Sequence, residues 1–500
     1  MRRAFRPADA SRALEEFGRR GAARAFPFTA FAALLLAGCA SVPNVAPQLS
    51  AVSPQALGVP AGETRTIADD WWTVFGDPQL NRLVDMGLAG NPDLAGALAR
   101  VRAAQAAVGA REATSLPQIG LDAKAPRQRF PENYILPHPI GGSTFWVPQI
   151  EGTLKWDLDL FGRNKAAVRV ARSSAEAAQL DAAAARITIA TAIAQAYVGL
   201  AHAERQIAVT DSFVRTRQEA LDLVQVRIRN RLASQFDLEQ AKTLLASAEQ
   251  ARVRAVGQRD LMVHALAALV GRGPDFYGEI GTTKLSFDSA PALPDAIPAD
   301  LLGRRADLLA GRTRIEAALA GRDAAKAEFM PNISIQALAG TLSLGLGNVF
   351  KAGSAEYGFG PAIHLPIFEG GRLSANYKGA VAGIDKAIAA YNGSVVNAVR
   401  DTADAITGVQ TSDRDLAAQF RIVAGLREIM RLDRVRVDTG LGSRLDSIDT
   451  GFRLLEAEQV LLDLQAEAFS RRIALIAALG GGFNSSNSAQ VAAKAGKTQS

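Results

Sequence analysis

The runs Asn91-Pro92-Asp93-Leu94 … Leu116-Pro117-Gln118-Ile119 and Arg305-Ala306-Asp307-Leu308 … Met330-Pro331-Asn332-Ile333 set the same landmarks in the same order, with an alanine-rich segment between them. The two pairs are offset by 214 positions (307 − 93 and 331 − 117). Further along, Leu232-Ala233-Ser234…Asp237 returns as Leu441-Gly442-Ser443…Asp446, and Glu249-Gln250 as Glu458-Gln459, offset by 209 (441 − 232 and 458 − 249). The residues lost between the two offsets fall between Pro117 and Gly162, or between Pro331 and Gly371. An indel there is what a surface loop tolerates. A fixed internal period means that the chain is two copies of one unit joined in tandem.

Composition narrows the unit. Of 500 residues, 48% are hydrophobic but only 6% aromatic. Alanine supplies the difference, which suits closely packed helices better than a conventional enzyme core. The net charge of +6 invites a nucleic-acid reading. Residues 1–38 hold seven arginines against Asp9, Glu15 and Glu16, so the remainder carries only +2 (6 − 4), and nucleic acid is not expected as a partner. Arg19, Arg20 and Arg24 precede an apolar stretch from Phe26 to Leu36, the pattern of a secretory signal too short to span as a helix. Leu36-Ala37-Gly38-Cys39 resembles the bacterial lipobox, which implies lipidation (palmitate included) of Cys39 as the mature N-terminus. Ala40 follows in place of the aspartate that often retains lipoproteins at the inner membrane, so the outer membrane is the implied destination. Cys39 is the one cysteine, so no disulfide staples the fold.

Proline is absent from the residues between Pro148 and Pro274 and after Pro366. Interior proline costs a helix about 3 kcal/mol or more, so both gaps permit long helices. Good helix formers fill the segment from Gly162 to Asn230, which predicts one helix of about 100 Å at 1.5 Å per residue. A returning helix is predicted from Ser234 to Val270. The second copy repeats the pair over Gly371 to Val437 and Ser443 to Leu479, closed by Gly480-Gly481-Gly482.

Between the helices the period changes from the helical one to two. Ile150, Gly152, Leu154, Trp156, Leu158 and Leu160 alternate with Glu151, Thr153, Lys155, Asp157 and Asp159. Tyr357, Phe359, Ile363, Leu365 and Ile367 alternate with small or polar residues, as do Ile119, Leu121 and Ala123. The stretch from Ile333 alternates more loosely and slips phase near Ala339. Each copy thus holds one β-hairpin, the first with a long loop (Arg129 to Trp146), the second with a shorter one (Gly345 to Gly353). No run of 18 apolar residues offers a spanning helix, so strands are the remaining way across a bilayer. Four strands cannot close a membrane barrel, whose smallest form has eight. The chain must pool strands from several copies. On this reading Asp157 and Asp159 face a water-filled lumen.

Several ordered motifs carry a family resemblance. They are Trp71-Trp72-Thr73-Val74-Phe75-Gly76-Asp77-Pro78, Trp156-Asp157-Leu158-Asp159-Leu160-Phe161-Gly162-Arg163, Ile297-Pro298-Ala299-Asp300-Leu301 and Leu365-Pro366-Ile367-Phe368-Glu369-Gly370-Gly371-Arg372. Over roughly residues 69 to 480 the chain resembles the TolC/OprM/NodT-type outer membrane factors, and the lipobox points to their efflux-lipoprotein branch. The resemblance implies an α+β membrane protein. A long α-helical barrel and a transmembrane β-barrel would be completed by trimerisation, twelve strands in all. The implied partners are further copies in a homotrimer, a periplasmic adaptor (membrane fusion) protein, an inner-membrane pump of the resistance-nodulation-division type, and outer membrane lipid. The implied function is a passive exit duct for drugs or other small amphipathic molecules. The alternatives are a type I secretion outlet for proteins and a non-pore periplasmic coiled-coil lipoprotein.

In the domain plan that follows, 1–38 is a signal peptide and 39–68 a lipidated segment. The first repeat occupies 69–273 with its hairpin at about 117–161, and 274–299 is a connecting equatorial segment. The second repeat occupies 300–480 with its hairpin at about 331–368, and 481–500 is a flexible tail. The resemblance places adaptor contacts at the inter-helix tips Leu232-Ala233-Ser234 and Leu441-Gly442-Ser443. It matches Asp446 and Asp449 to the aspartates of a periplasmic gate, and their spacing of three puts both on one helix face. Arg231 stands where the family has glycine at the first tip, while Gly440 keeps it at the second. Ile228 and Val437 stand where tip tyrosines are usual, and Ala306 where proline is common.

Catalysis is not expected. The four histidines (His138, His202, His264, His364) show no metal spacing. No G-x-S-x-G nucleophile elbow occurs, and Gly345-Leu346-Gly347 is a lone glycine pair in a loop. No cofactor or metal is called for.

Overall fold

The computed structural model describes residues 41–58, 67–133, 135–287 and 305–483. The signal segment 1–38, Cys39, the motif at 297–301 and the tail beyond residue 483 lie outside them, as does part of the connecting segment 274–299.

Helices Pro78–Gly90 (α1) and Pro92–Ala113 (α2) precede strands Gln118–Lys124 (β1), Arg127–Arg129 (β2), Thr144–Trp146 (β3) and Gln149–Asp157 (β4). Helices Arg163–Arg229 (α3) and Gln235–Leu269 (α4) complete the first copy. A 3-10 turn at Pro274–Glu279 follows. The second copy holds Ala306–Ala327 (α5), Asn332–Leu342 (β5), Ala355–His364 (β6), Arg372–Asp438 (α6) and Arg444–Ala478 (α7). The duplication extends to element ends. Helix α5 starts and ends 214 residues after α2 (306 − 92, 327 − 113), and α6 and α7 follow α3 and α4 by 209 (372 − 163, 444 − 235). The offset therefore changes inside the hairpins, where the loops differ in length. Both long helices have 67 residues, about 100 Å each.

The chain forms two compact units that cut across the tandem copies. Among the described residues, one pools 41–50, 105–133, 135–174 and 315–387, and so contains every described strand. Its main sheet has the order β1-β4-β5-β6, antiparallel throughout. The two predicted hairpins thus lie side by side in one sheet. Pairing is continuous through Ala339↔Tyr357 and Gly340↔Glu356, so the loose phase of β5 is a matter of composition, not a bulge. Strands β2 and β3 form a small second sheet inside the first hairpin's loop, an element its mixed sequence did not announce.

Opposed residues in an antiparallel ladder share a face. One face carries Ile119, Leu121, Ile150, Leu154, Trp156, Ile335, Phe359, Tyr357 and Ile363, and the other Asp122, Lys124, Glu151, Lys155, Gln336 and Glu356. The apolar face is open to the surroundings: Ile119 is 81% exposed, Tyr357 88% and Phe359 90%. Phe329, Leu373, Tyr377 and Val381 form a small core in this unit, and Val42 packs on it. The N-terminal arm runs on along α6, with the Gln48 and Leu49 amides donating to Asp385 Oδ1 (2.8 and 2.9 Å).

Among the described residues, the second unit pools 51–58, 67–104, 175–287, 305–314 and 388–483. Its main core gathers Trp71, Trp72, Leu80 and Leu83 with Ile193, Tyr197 and Leu200 of α3, Leu266 of α4, Phe276, and Phe469 and Ile473 of α7. Between Asp181 and Glu204 only Arg186 is charged, and α3 does contain an 18-residue window apolar enough, by length and composition, to cross a membrane. The stretch is not an unbroken apolar run, since Arg186, Gln195 and His202 interrupt it, and Ile189 through Ala201 supply much of this core.

Candidate functional site: strand face, helix tips and the Asp77 anchor

The Trp-Trp-x-x-Phe-x-Asp-Pro motif builds an anchor. Asp77 is buried and caps α1, accepting from the Gln79 amide (2.9 Å) ahead of Pro78. Its Oδ2 also accepts from the Tyr197 hydroxyl (2.6 Å) and the Lys284 amide (2.7 Å). Gln79 exchanges two hydrogen bonds with Gly281, and Glu204 accepts from the Thr283 amide and hydroxyl. One carboxylate thereby ties together α1, α3 and the described part of the connecting segment. Sequence reasoning named this motif only as a family mark; an Asp-Pro pair opening a helix is a capping signal that could have found it. Burial, and then the bond to Asp77, pushes the Tyr197 hydroxyl far above its usual range. A raised folded-state pKa stabilises fully below the unfolded value near 10, and the stability is lost as pH rises above it. Above pH 10 the slope from this one group is about 1.4 kcal/mol per pH unit. Tyr197→Phe is expected to be less stable at neutral pH and to flatten that slope in thermal unfolding scans between pH 9 and 11.

The first tip ends α3 with the Arg231 amide bonded to Ile228 O (2.9 Å) and the Leu232 amide to Arg227 O (2.8 Å). The second ends α6 identically, with Gly440 to Val437 O (3.0 Å) and Leu441 to Arg436 O (2.8 Å). This is the Schellman closure, which requires a left-handed residue. Gly440 takes it at φ 74° and Arg231 at φ 60°, so the departure from glycine leaves the turn's shape intact. The cost to a side-chain-bearing residue is about 1–2 kcal/mol, and Arg231→Gly is expected to raise the unfolding midpoint, whereas Gly440→Ala should lower it.

The tips differ just past the turn. Ser234 and Asp237 close a reciprocal capping box, and hydrogen bonds from Ser234 hold the Asp237 carboxyl below its ordinary range. Its counterpart Asp446 is exposed and makes no side-chain bond among the described residues, because Ser443 caps α7 through Leu445 instead (3.1 Å). Asp449, one turn on, is also exposed and pairs with Arg453 (2.9 Å). Leu232 and Leu441 are exposed at the two turns. The tip residues thus lie at helix ends in both copies, and within one chain Asp446 and Asp449 share one helix face.

Asp157 and Asp159 part company. Asp157, at the end of β4, accepts from Asn332 Nδ2 (3.3 Å) and lies 3.5 Å from Arg163. Asp159 lies beyond the strand and caps α3, accepting from the Asn164 and Lys165 amides (2.9 and 2.8 Å). A lumen-facing role for Asp159 is thereby corrected: the strand's alternation stops two residues earlier.

A four-stranded sheet with an exposed apolar face, followed in each copy by a 67-residue helix and a 35-residue returning helix, is the architecture of a membrane channel class. The profile described as outer membrane efflux protein matches residues 83–272 and 297–481, and the chain belongs to that family. It is 35% identical over 362 residues to the fusaric acid resistance protein FusA of Burkholderia cepacia, covering 70% of this chain and 68% of that protein. It is 30% identical over 465 residues to the outer membrane protein OprJ of Pseudomonas aeruginosa, covering 91% and 95%. The crystal structure of the outer membrane protein VceC of Vibrio cholerae matches with a TM-score of 0.76 at 33% identity, covering 83% of this chain and all of that one. Fold class, family and the non-enzymatic reading from sequence agree with these findings.

Proposed function

We propose that the chain forms, as a homotrimer, the outer membrane exit duct of a tripartite efflux system, passively conducting small amphipathic molecules delivered by an inner-membrane pump and a periplasmic adaptor. The observation that carries this reading is the sheet: β1 and β6 are edge strands, and one face is apolar and open. An exposed apolar sheet with two free edges is an aggregation hazard in water and a barrel segment in lipid. Strand lengths of 9 to 11 residues in β4, β5 and β6 suit a tilted crossing. Pairing β6 of one copy with β1 of the next removes both edges, and three copies reach twelve strands.

The names of FusA and of the multidrug resistance outer membrane protein MdtP of Escherichia coli support efflux of small toxicants over protein secretion; the inner-membrane partner proposed with it is a pump of the resistance-nodulation-division type. Lipidation of Cys39 agrees with Val42, three residues on, packing beside Leu373 close to the strand ends. The tips Leu232-Ala233-Ser234 and Leu441-Gly442-Ser443 would meet the adaptor, and Asp446 with Asp449 would line the periplasmic gate. Deleting the gene is expected to sensitise cells to amphipathic toxicants, with rescue by the wild-type chain and none by a chain lacking both tips. Unchanged sensitivity to a broad panel, together with loss of a secreted protein, would place it in protein secretion instead.

A further inference from the structure

Where β4 and β6 run into α3 and α6, a cavity of about 240 Å³ opens between the two junctions. Both copies contribute to it: Arg163 from the first, and Glu328, His364, Glu369 and Arg372 from the second. Its polar groups are left half-used. Arg372 Nε donates to Glu369 Oε2 (2.7 Å), and its Nη1 is 3.8 Å from Glu328 Oε2. Asn376 Nδ2 also donates to Glu328 Oε2 (3.4 Å). Among the described residues, no hydrogen bond reaches Oε1 of Glu328 or Glu369 or the His364 ring, and the Arg163 guanidinium has the 3.5 Å ion pair with Asp157, which leaves donors over. The cavity thus offers cationic donors and anionic acceptors side by side. A simple anion would meet Glu328 and Glu369, and a simple cation Arg163 and Arg372. A zwitterion satisfies both sets.

The surroundings indicate what carries such a zwitterion. The residues flanking the cavity at the strand ends are apolar and exposed: Leu160, Phe161, Ile367 and Phe368, the last 87% exposed. Aromatic and aliphatic side chains at a strand end, next to cations, mark the level of lipid headgroups in a membrane barrel. Arginine pairs with phosphate through charge-assisted bonds, and a primary ammonium supplies three donors to carboxylates. We infer that this cavity binds the headgroup of a glycerophospholipid bearing both a phosphate and a primary ammonium, phosphatidylethanolamine, in the periplasmic leaflet. Arg163 and Arg372 hold the phosphate, Glu328 and Glu369 hold the ammonium, and the acyl chains lie along Phe161 and Phe368. The inference rests on the membrane placement proposed above.

The test is native mass spectrometry of the full-length detergent-solubilised protein, given phosphatidylethanolamine, phosphatidylcholine or phosphatidylglycerol. Phosphatidylethanolamine should be retained about tenfold over phosphatidylcholine, the worth of roughly one charge-assisted hydrogen bond that a quaternary ammonium cannot make. The isosteric double variant Glu328→Gln, Glu369→Gln should lose that preference while still retaining phosphate-bearing lipid, and Arg163→Ala with Arg372→Ala should retain none of the three well. Equal retention of the two zwitterionic lipids, or an unchanged preference in the glutamine variant, overturns the site. Displacement of the lipid by an equal concentration of free phosphoethanolamine overturns the lipid assignment. Conductance of the same preparation in a bilayer separates this from the pore reading, because a failed pore gives no current whichever lipid is retained.

Discussion

Asp446→Ala combined with Asp449→Ala is expected to raise single-channel current and to weaken block by multivalent cations by at least about tenfold, or about 1.4 kcal/mol. In a three-fold assembly the pair stacks two rings of three carboxylates one helical turn apart. Such rings concentrate cations, and like charges this close favour a bound counter-ion. The two positions should not contribute equally. Asp449 already has Arg453 beside it, whereas Asp446 makes no side-chain bond among the described residues. Asp446→Ala alone should therefore have the larger effect. Asp237→Ala, at the equivalent place in the first tip, should loosen a helix cap and leave cation block unchanged, because its carboxylate is taken up by Ser234. Unaltered currents in the Asp446, Asp449 double variant would rule these residues out as the gate.

Asp77→Ala is expected to be the most destabilising single change outside the apolar core. Losing the cap of α1 costs about 1 kcal/mol. The Tyr197 hydroxyl and the Lys284 amide would each lose a buried acceptor, at about 1–3 kcal/mol apiece. A loss of about 3–7 kcal/mol should appear as a lower thermal unfolding midpoint, followed by circular dichroism in detergent. Asp77→Asn keeps an acceptor for the cap and should lose less. A wild-type midpoint in Asp77→Ala would show that the connecting segment is held without this carboxylate, by the Gln79 and Glu204 hydrogen bonds and by apolar contacts such as Phe276 and Phe287 in the main core.

The long helices were legible to within a residue or two because their signals are local. Proline gaps permit them, Ser234 and Ser443 open the returning helices, and Gly271 and Gly480 follow their ends. The four strands were legible from alternation, since each has one face apolar. What escaped was non-local. Nothing along the chain says that both hairpins share one sheet, that Trp72 and Leu80 share a core with Phe469 and Ile473, or that Asp77 meets Tyr197 across 120 positions. The short strands β2 and β3, three residues each, are too brief to show a period. Arg231 marks a different limit. Its side chain argues against a left-handed turn, yet the helix end has carbonyls to satisfy, and closing them outweighs the local preference. The free state of Asp446 likewise depends on which residue caps α7, a matter of geometry that the shared Ser-x-x-Asp spacing conceals.

Pooling of strands from several copies is the requirement from which the pore follows, and the native mass of the detergent-extracted particle tests it most directly. Three copies per particle are expected, stable to dilution, because among the described residues each sheet leaves β1 and β6 as edge strands. A particle of one chain that remains soluble and folded would contradict it, since four strands cannot enclose a channel.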